Sequence, residues 1–312
     1  MCKACEPPQE DMADKGGVYS VVRFFQQLMT GLSIGSIYAL LAVGYALIYS
    51  IFDFTNFAFG ALMMIGTYGA FYSISLANTD LFTAIIVAMA AGAAASVLVE
   101  LVAYRGMRAR KASRLYLMIT AMGVNIFIEN LAIQVIGGGV LAFPSEWARV
   151  TIKIGEIAVP RADILALILS VVILIILWLF LYRSRLGLGI RASAYDTATA
   201  GLMGLNVNTI SLVVFSISGI TAGLAGVFYG MKYTVYPSMG LISNKAFIAA
   251  VIGGLGSLPG AVLGGIFLGL LETMVSGYIS STFRDLFAYT ALLLILLIRP
   301  NGLLGKDHQD KL

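Results

Sequence analysis

From Ile164 to Tyr182 the chain runs without a single charged residue. Coiled as an α-helix at about 1.5 Å per residue, such a stretch measures about 28 Å, close to the roughly 30 Å hydrocarbon thickness of a bilayer. Long apolar stretches also occupy about 24–50, 56–75, 81–104, 115–136 and 210–229, and shorter ones resume at about 246–255, 261–274 and 286–298. The 312 residues are 59% hydrophobic and 12% charged, whereas soluble domains are about 45–50% apolar and about 25% charged. Too little polar surface remains to coat a globule in water. The pattern predicts an all-α, polytopic transmembrane helix bundle of about eight spans, with one or two broken or re-entrant helices. It excludes a secreted domain, a cytosolic enzyme and a nucleic-acid binder, and the net charge of +4 is read as topology.

Charge sets the orientation. Arg105, Arg108, Arg110, Lys111 and Arg114 form a basic cluster without an acid, which the positive-inside rule places in the cytoplasm. Alternation then puts the mixed-charge, proline-interrupted loop from Val140 to Arg161 outside, and the segment opening with Arg183, Arg185 and Arg191 inside. Residues 1–20 are polar and proline-containing and are expected to form a mobile tail. Residues 21–305 read as one transmembrane domain with an inner loop at about 183–209, and 306–312 as a cytoplasmic tail. The break at Leu255-Gly256-Ser257-Leu258-Pro259-Gly260 divides an apolar region in two, which returns the C-terminus to the cytoplasm.

No catalytic constellation is present. Cys2 and Cys5 form one CxxC without the further ligands a zinc site needs. The single histidine, His308, lies in the polar tail. Gly305-Lys306 is followed by an acid and lacks the spacing of a phosphate loop. The chain is therefore read as no enzyme and as binding no cofactor of its own.

Two segments are unsuited to lipid-facing helix. Asp53-Phe54-Thr55-Asn56-Phe57-Ala58-Phe59-Gly60 sets an acid, an amide and a glycine between apolar spans, and Gly253 to Gly260 combines four glycines with Ser257 and Pro259. Irregular backbone survives at membrane depth only where protein or water covers it, and half-helix ends there offer N–H groups to a carboxylate and C=O groups to an ammonium. The plainer reading is an interfacial turn and a proline kink. Glu129, four residues from Asn125 on one helix face, is an intramembrane acid and hence a candidate site or a helix–helix bond. Glu100 and Glu272 lie near enough to span ends for snorkelling or a local partner, and Lys232 and Lys245 read as interface anchors. In the inner loop, Ser193 or Asp196 is placed to cap a short helix ending near Leu205. Physics alone leaves several transporters open: an ATP-driven one, an ion- or proton-coupled one using Glu129, or a passive channel.

Four segments resemble the membrane permeases of branched-chain amino acid ABC transporters. They are Gln26 to Leu40, Thr55-Asn56-Phe57-Ala58-Phe59-Gly60, Arg191 to Val207, and Gly253 to Gly265 with the ending Arg299-Pro300-Asn301-Gly302-Leu303-Leu304-Gly305. The resemblance covers roughly residues 24–305. It implies a multi-pass importer subunit in the cytoplasmic (inner) membrane of a prokaryote, in contact with lipid. It implies a second permease, identical or related, two cytoplasmic ATPases that use ATP and magnesium, and an extracytoplasmic substrate-binding protein. Asn56, Phe57, Phe59, Gly60, Asn125, Glu129, Gly254, Gly256, Ser257 and Pro259 are then expected along the substrate path. Ser193, Asp196, Ala200, Gly201, Leu202, Met203 and Gly204 are expected at the ATPase coupling segment. The chain departs from the family at Phe59 and Ala61, where a histidine and an acid are usual, so urea, short amides or other amino acids stay open as cargo.

Overall fold

The computed structural model describes residues 10–110, 112–144, 150–154 and 157–305. Cys2, Cys5, Lys111, Glu146, Arg149, Glu156, Lys306 and His308 lie outside the described residues. Among the described residues, eight helices are long and apolar enough to cross a membrane. The first, α1 (Glu10–Phe52), starts inside the stretch expected as a tail. It is followed by α2 (Phe59–Ala77) and α3 (Leu81–Val99). A π-helical turn over Glu100–Tyr104 and the short α4 (Arg105–Ala109) extend α3 to the basic cluster. Then come α5 (Arg114–Ile136), α6 (Arg161–Arg183), α7 (Arg185–Tyr195), α8 (Thr197–Leu202) and α9 (Val207–Lys232). A 3₁₀ turn over Pro237–Ile242 leads into α10 (Ser243–Gly253), α11 (Leu258–Tyr278) and α12 (Arg284–Ile298).

The bundle is organised around α1, which is almost wholly buried in its apolar part and packs on α11, α9, α10 and α6. Association in lipid has no hydrophobic drive, so close backbone approach supplies the contact. Along α1 and α11, Gly35 faces Gly269, Ala39 faces Gly265 and Gln27 faces Gly277, which makes the two helices antiparallel. On the other side, Gly92 of α3 meets Gly219 of α9, where a Cβ on either would run into the other's carbonyl. Gly219→Leu is therefore expected to separate α3 from α9 and to cost at least about 3 kcal/mol through overpacking. Gly123→Leu, on α5 with open space around it, is expected to melt within error of the wild type. Thermal unfolding of both variants in detergent checks the contrast.

The broken helix expected in the C-terminal third is present. At 11 residues α10 covers about 17 Å, half of the hydrocarbon layer. Gly254 (φ 108°) and Gly256 (φ 84°) turn the chain through backbone conformations that favour glycine. Pro259 is no kink: it sits in the first turn of α11, where a missing N–H costs nothing, behind Ser257, whose Oγ accepts from Gly260 N at 3.3 Å. The segment after α12 folds back on α10, with Leu303 N and Leu304 N donating to the carbonyls of Ile252 and Gly253, both at 2.9 Å. Residues up to Gly305 thus pack against the break.

The loop expected outside is more ordered than a plain aqueous connection. Two short strands, β1 (Thr151–Ile154) and β2 (Ile157–Pro160), pair antiparallel with Thr151 opposite Pro160 and Ile154 opposite Ile157. Leu141 and Val235 exchange backbone bonds of 2.8 and 2.9 Å, which ties this loop to the segment after α9. The helical class is unchanged.

Candidate functional site

The segment between α1 and α2 is held as one unit. Asp53 adopts a left-handed conformation (φ 51°) and accepts from Arg114 at 2.8 Å, which anchors the end of α1 to the start of α5. Asn56 is 1% exposed; its Oδ1 accepts from Ala58 N at 3.1 Å and from the Tyr104 hydroxyl at 2.6 Å. Its amide nitrogen is buried without a partner among the described residues. Asn125 Oδ1 accepts from Ala61 N at 3.1 Å, sharing that N–H with the Ala58 carbonyl at 3.0 Å in the first turn of α2. Glu129, expected beside it, is half-buried and makes no hydrogen bond or ion pair among the described residues.

Phe59, which stands in place of a histidine, is fully buried with its ring 4.7 Å from that of Tyr45. Its apolar face is core packing in this conformation. Gly60 lies directly against Gly240, where neither position has room for a Cβ. Phe57 is half-buried, 5.9 Å from Phe247, and Tyr45 donates to Ser243 Oγ at 3.2 Å. The segment Asn56–Gly60 therefore meets the 3₁₀ turn and the start of the half-helix α10. Gly254, Gly256, Ser257 and Pro259 lie at the far end of α10, with Gly254 against Asn301, Gly302 and Gly305. The break instead comes beside the end of α1, with Gly256 against Ser50, while Asn56–Gly60 meets the other end of α10.

Three charge clusters correct the reading of the intramembrane ions. Lys232, expected as an interface anchor, bonds Asp163 at 2.7 Å, and Ser33 donates to the same carboxylate at 3.0 Å. The two side chains are 15% and 5% exposed. Lys245 lies between Glu272 (2.9 Å) and Asp285 (2.6 Å), with Tyr38 donating to Glu272 at 2.9 Å. Glu100 is buried against Arg108 and accepts from Ser211 at 2.6 Å. Burial of a charge is tolerated only with such partners: Glu100 has a local partner in Arg108 and a cross-helix one in Ser211, Glu272 is linked across helices, and neither snorkels. Glu100 also opens the π-helical turn that carries Tyr104 to Asn56, a local irregularity that no residue pattern announces.

In the inner loop, Asp196 is the cap of α8 and accepts from Ala198 N at 2.9 Å and from the Thr199 hydroxyl. Ser193, the other capping candidate, is buried within α7. Gly204 (φ 87°) ends the turn, with Leu205 N donating to Ala200 O at 3.1 Å. Ala200 faces inward, Gly201 and Gly204 are exposed, and Leu202 and Met203 stand 88% and 82% exposed. Two apolar side chains on a capped, protruding turn form a knob suited to a partner's groove.

Comparison with known proteins agrees with this architecture. The family model for the branched-chain amino acid transport system permease component matches residues 27–298. The permease protein BraD of the high-affinity branched-chain amino acid transport system of Pseudomonas aeruginosa is 36% identical over 305 residues, covering 93% of this chain and 99% of the relative. LivH of Escherichia coli is 34% identical over 306 residues, covering 92% and 97%. A probable LivH of Methanocaldococcus jannaschii is 26% identical, covering 86% and 88%. With a family match over most of its length, the chain belongs to the permease components of ABC branched-chain amino acid transport systems, multi-pass membrane subunits that carry no catalytic site of their own.

Proposed function

We propose that this chain, paired with a second permease subunit, forms the membrane path by which branched-chain amino acids enter the cytoplasm. Two separate ATPases bind ATP and magnesium and dock on α8 and its flanks, from Ser193 to Gly204. A binding protein presents the cargo on the opposite side. The observation that carries the reading is the Leu202–Met203 knob on a short helix held between α6 and α9. Such a rigid, exposed element passes a push from a soluble motor to the bundle. A second observation supports the paired path: α5 is buried along little of its apolar length, yet it carries Glu129, half-buried, and Asn130 and Gln134, both exposed. Amide and carboxyl groups at membrane depth face protein or water, not lipid. The path then runs beside α5, Asn56–Gly60 and the start of α10, and the break at Gly254–Pro259 lies toward its inner end. The packing of Phe59 on Tyr45 fits the exchange at that position without a change of cargo.

The test is uptake by proteoliposomes containing the complete complex and its binding protein. Labelled leucine is expected to accumulate, with excess isoleucine or valine competing and urea or acetamide having no effect. Competition by urea or acetamide alone would overturn the assignment of cargo.

A further inference from the structure

A groove of about 450 Å³ lies between α6 and α9, with Met89 of α3 at one side. Its walls are Ile173, Ile176 and Phe180 from α6, and Leu212, Val213 and Ile220 from α9. The Ser216 and Thr221 hydroxyls beside it donate back to Leu212 and Ser218 carbonyls of their own helix, at 2.7 and 2.9 Å. The cavity therefore asks for an apolar occupant. It runs along α9 from Thr209 to Ile220, about 16 Å at 1.5 Å per residue, which is the depth of one leaflet of a roughly 30 Å hydrocarbon layer.

One end of this groove is basic. The α6 stripe Ile173–Ile176–Phe180 continues at Arg183, three residues on and so on the same helix face. Arg183, Arg185 and Arg191 are all exposed there, and Arg191 rests on the Tyr182 ring with its guanidinium carbon 4.9 Å from the centroid. Among the described residues, none of the three arginines pairs with a carboxylate. A one-leaflet apolar slot ending at exposed guanidinium groups matches a single ligand chemistry: an acyl chain bearing an anionic phosphate. Basic pockets between membrane helices on the cytoplasmic side bind such headgroups.

We propose that the α6–α9 groove is a binding site for one anionic phospholipid of the cytoplasmic leaflet, its acyl chain along Phe180 and Val213 and its phosphate at Arg183 and Arg185. The site adjoins the inner loop, so the lipid braces α6 against α9 on either side of α7 and α8. This assignment does not depend on which solute is carried. The test is to purify the wild-type chain and an Arg183→Gln/Arg185→Gln double variant, wash both extensively with detergent, and quantify retained phospholipid by mass spectrometry. The wild type is expected to retain phosphatidylglycerol or cardiolipin well above its share of the membrane. The double variant, altered only at exposed positions, is expected to retain about thirtyfold less, with phosphatidylethanolamine unchanged. Val213→Trp, which fills the slot, is expected to lose the same lipid while keeping its elution volume. Retained lipid that mirrors the bulk membrane, or equal anionic lipid in the double variant, would overturn the proposal.

Discussion

Leu202→Asp is expected to abolish transport while leaving the protein inserted, folded and thermally unchanged. Leu202 is almost fully exposed on a helix of six residues and stabilises nothing within this chain, so the substitution removes no internal contact. In the assembly proposed above it enters the ATPase groove, where an unpaired carboxylate is desolvated. Losing an apolar anchor and burying a charge costs about 3 kcal/mol at an interface centre, a drop of at least about 100-fold in affinity. Co-purification of the ATPase and ATP-driven uptake are then lost together. Gly201→Asp, on the same exposed turn, is expected to behave likewise. Wild-type uptake by either variant would remove α8 from the coupling path.

The second large effect is on stability. Lys232→Met leaves Asp163, 5% exposed, with the Ser33 hydroxyl as its remaining partner among the described residues. Breaking a buried pair by removing one side costs about 3–5 kcal/mol, because the remaining charge has neither solvent nor counter-ion. Thermal unfolding in detergent is expected to show a strongly destabilised single variant. The double variant Lys232→Met/Asp163→Leu is expected to recover most of the loss, since an apolar pair of similar size replaces an ion pair at little cost. A single variant as stable as the wild type would mean that the lysine and the aspartate are solvated separately.

What the sequence made legible follows from the range of the interactions involved. The membrane-spanning helices came from long, mostly apolar runs, a local property that the bilayer converts directly into helices. The cap of α8 was readable to within two candidates, Ser193 and Asp196, and its end was placed near Leu205, because capping acts over three or four residues. The partners of Lys232 and Lys245 were not, since Asp163 lies 69 residues from Lys232 and hydropathy treats each ion alone. Misreading the two lysines as interface anchors has the same origin. The contact of Gly60 with Gly240 left no signature either: two glycines that share a surface look like any others until the helices are placed. Pro259 was readable as a break but ambiguous as a kink, and the Ser257 cap resolved it as the start of a new helix. The irregular segments were correctly located along the chain, but their placement at opposite ends of α10 depended on the tertiary fold.

Leucine uptake into proteoliposomes with and without the separate ATPase and ATP separates an ATP-driven permease from an ion-coupled one most directly. No accumulation is expected from the permease chains alone, even under an imposed proton gradient, and accumulation is expected once the ATPase, its nucleotide and the binding protein are supplied. Uptake by the permease alone that follows the proton gradient and disappears with Glu129→Gln would contradict ATP-driven transport.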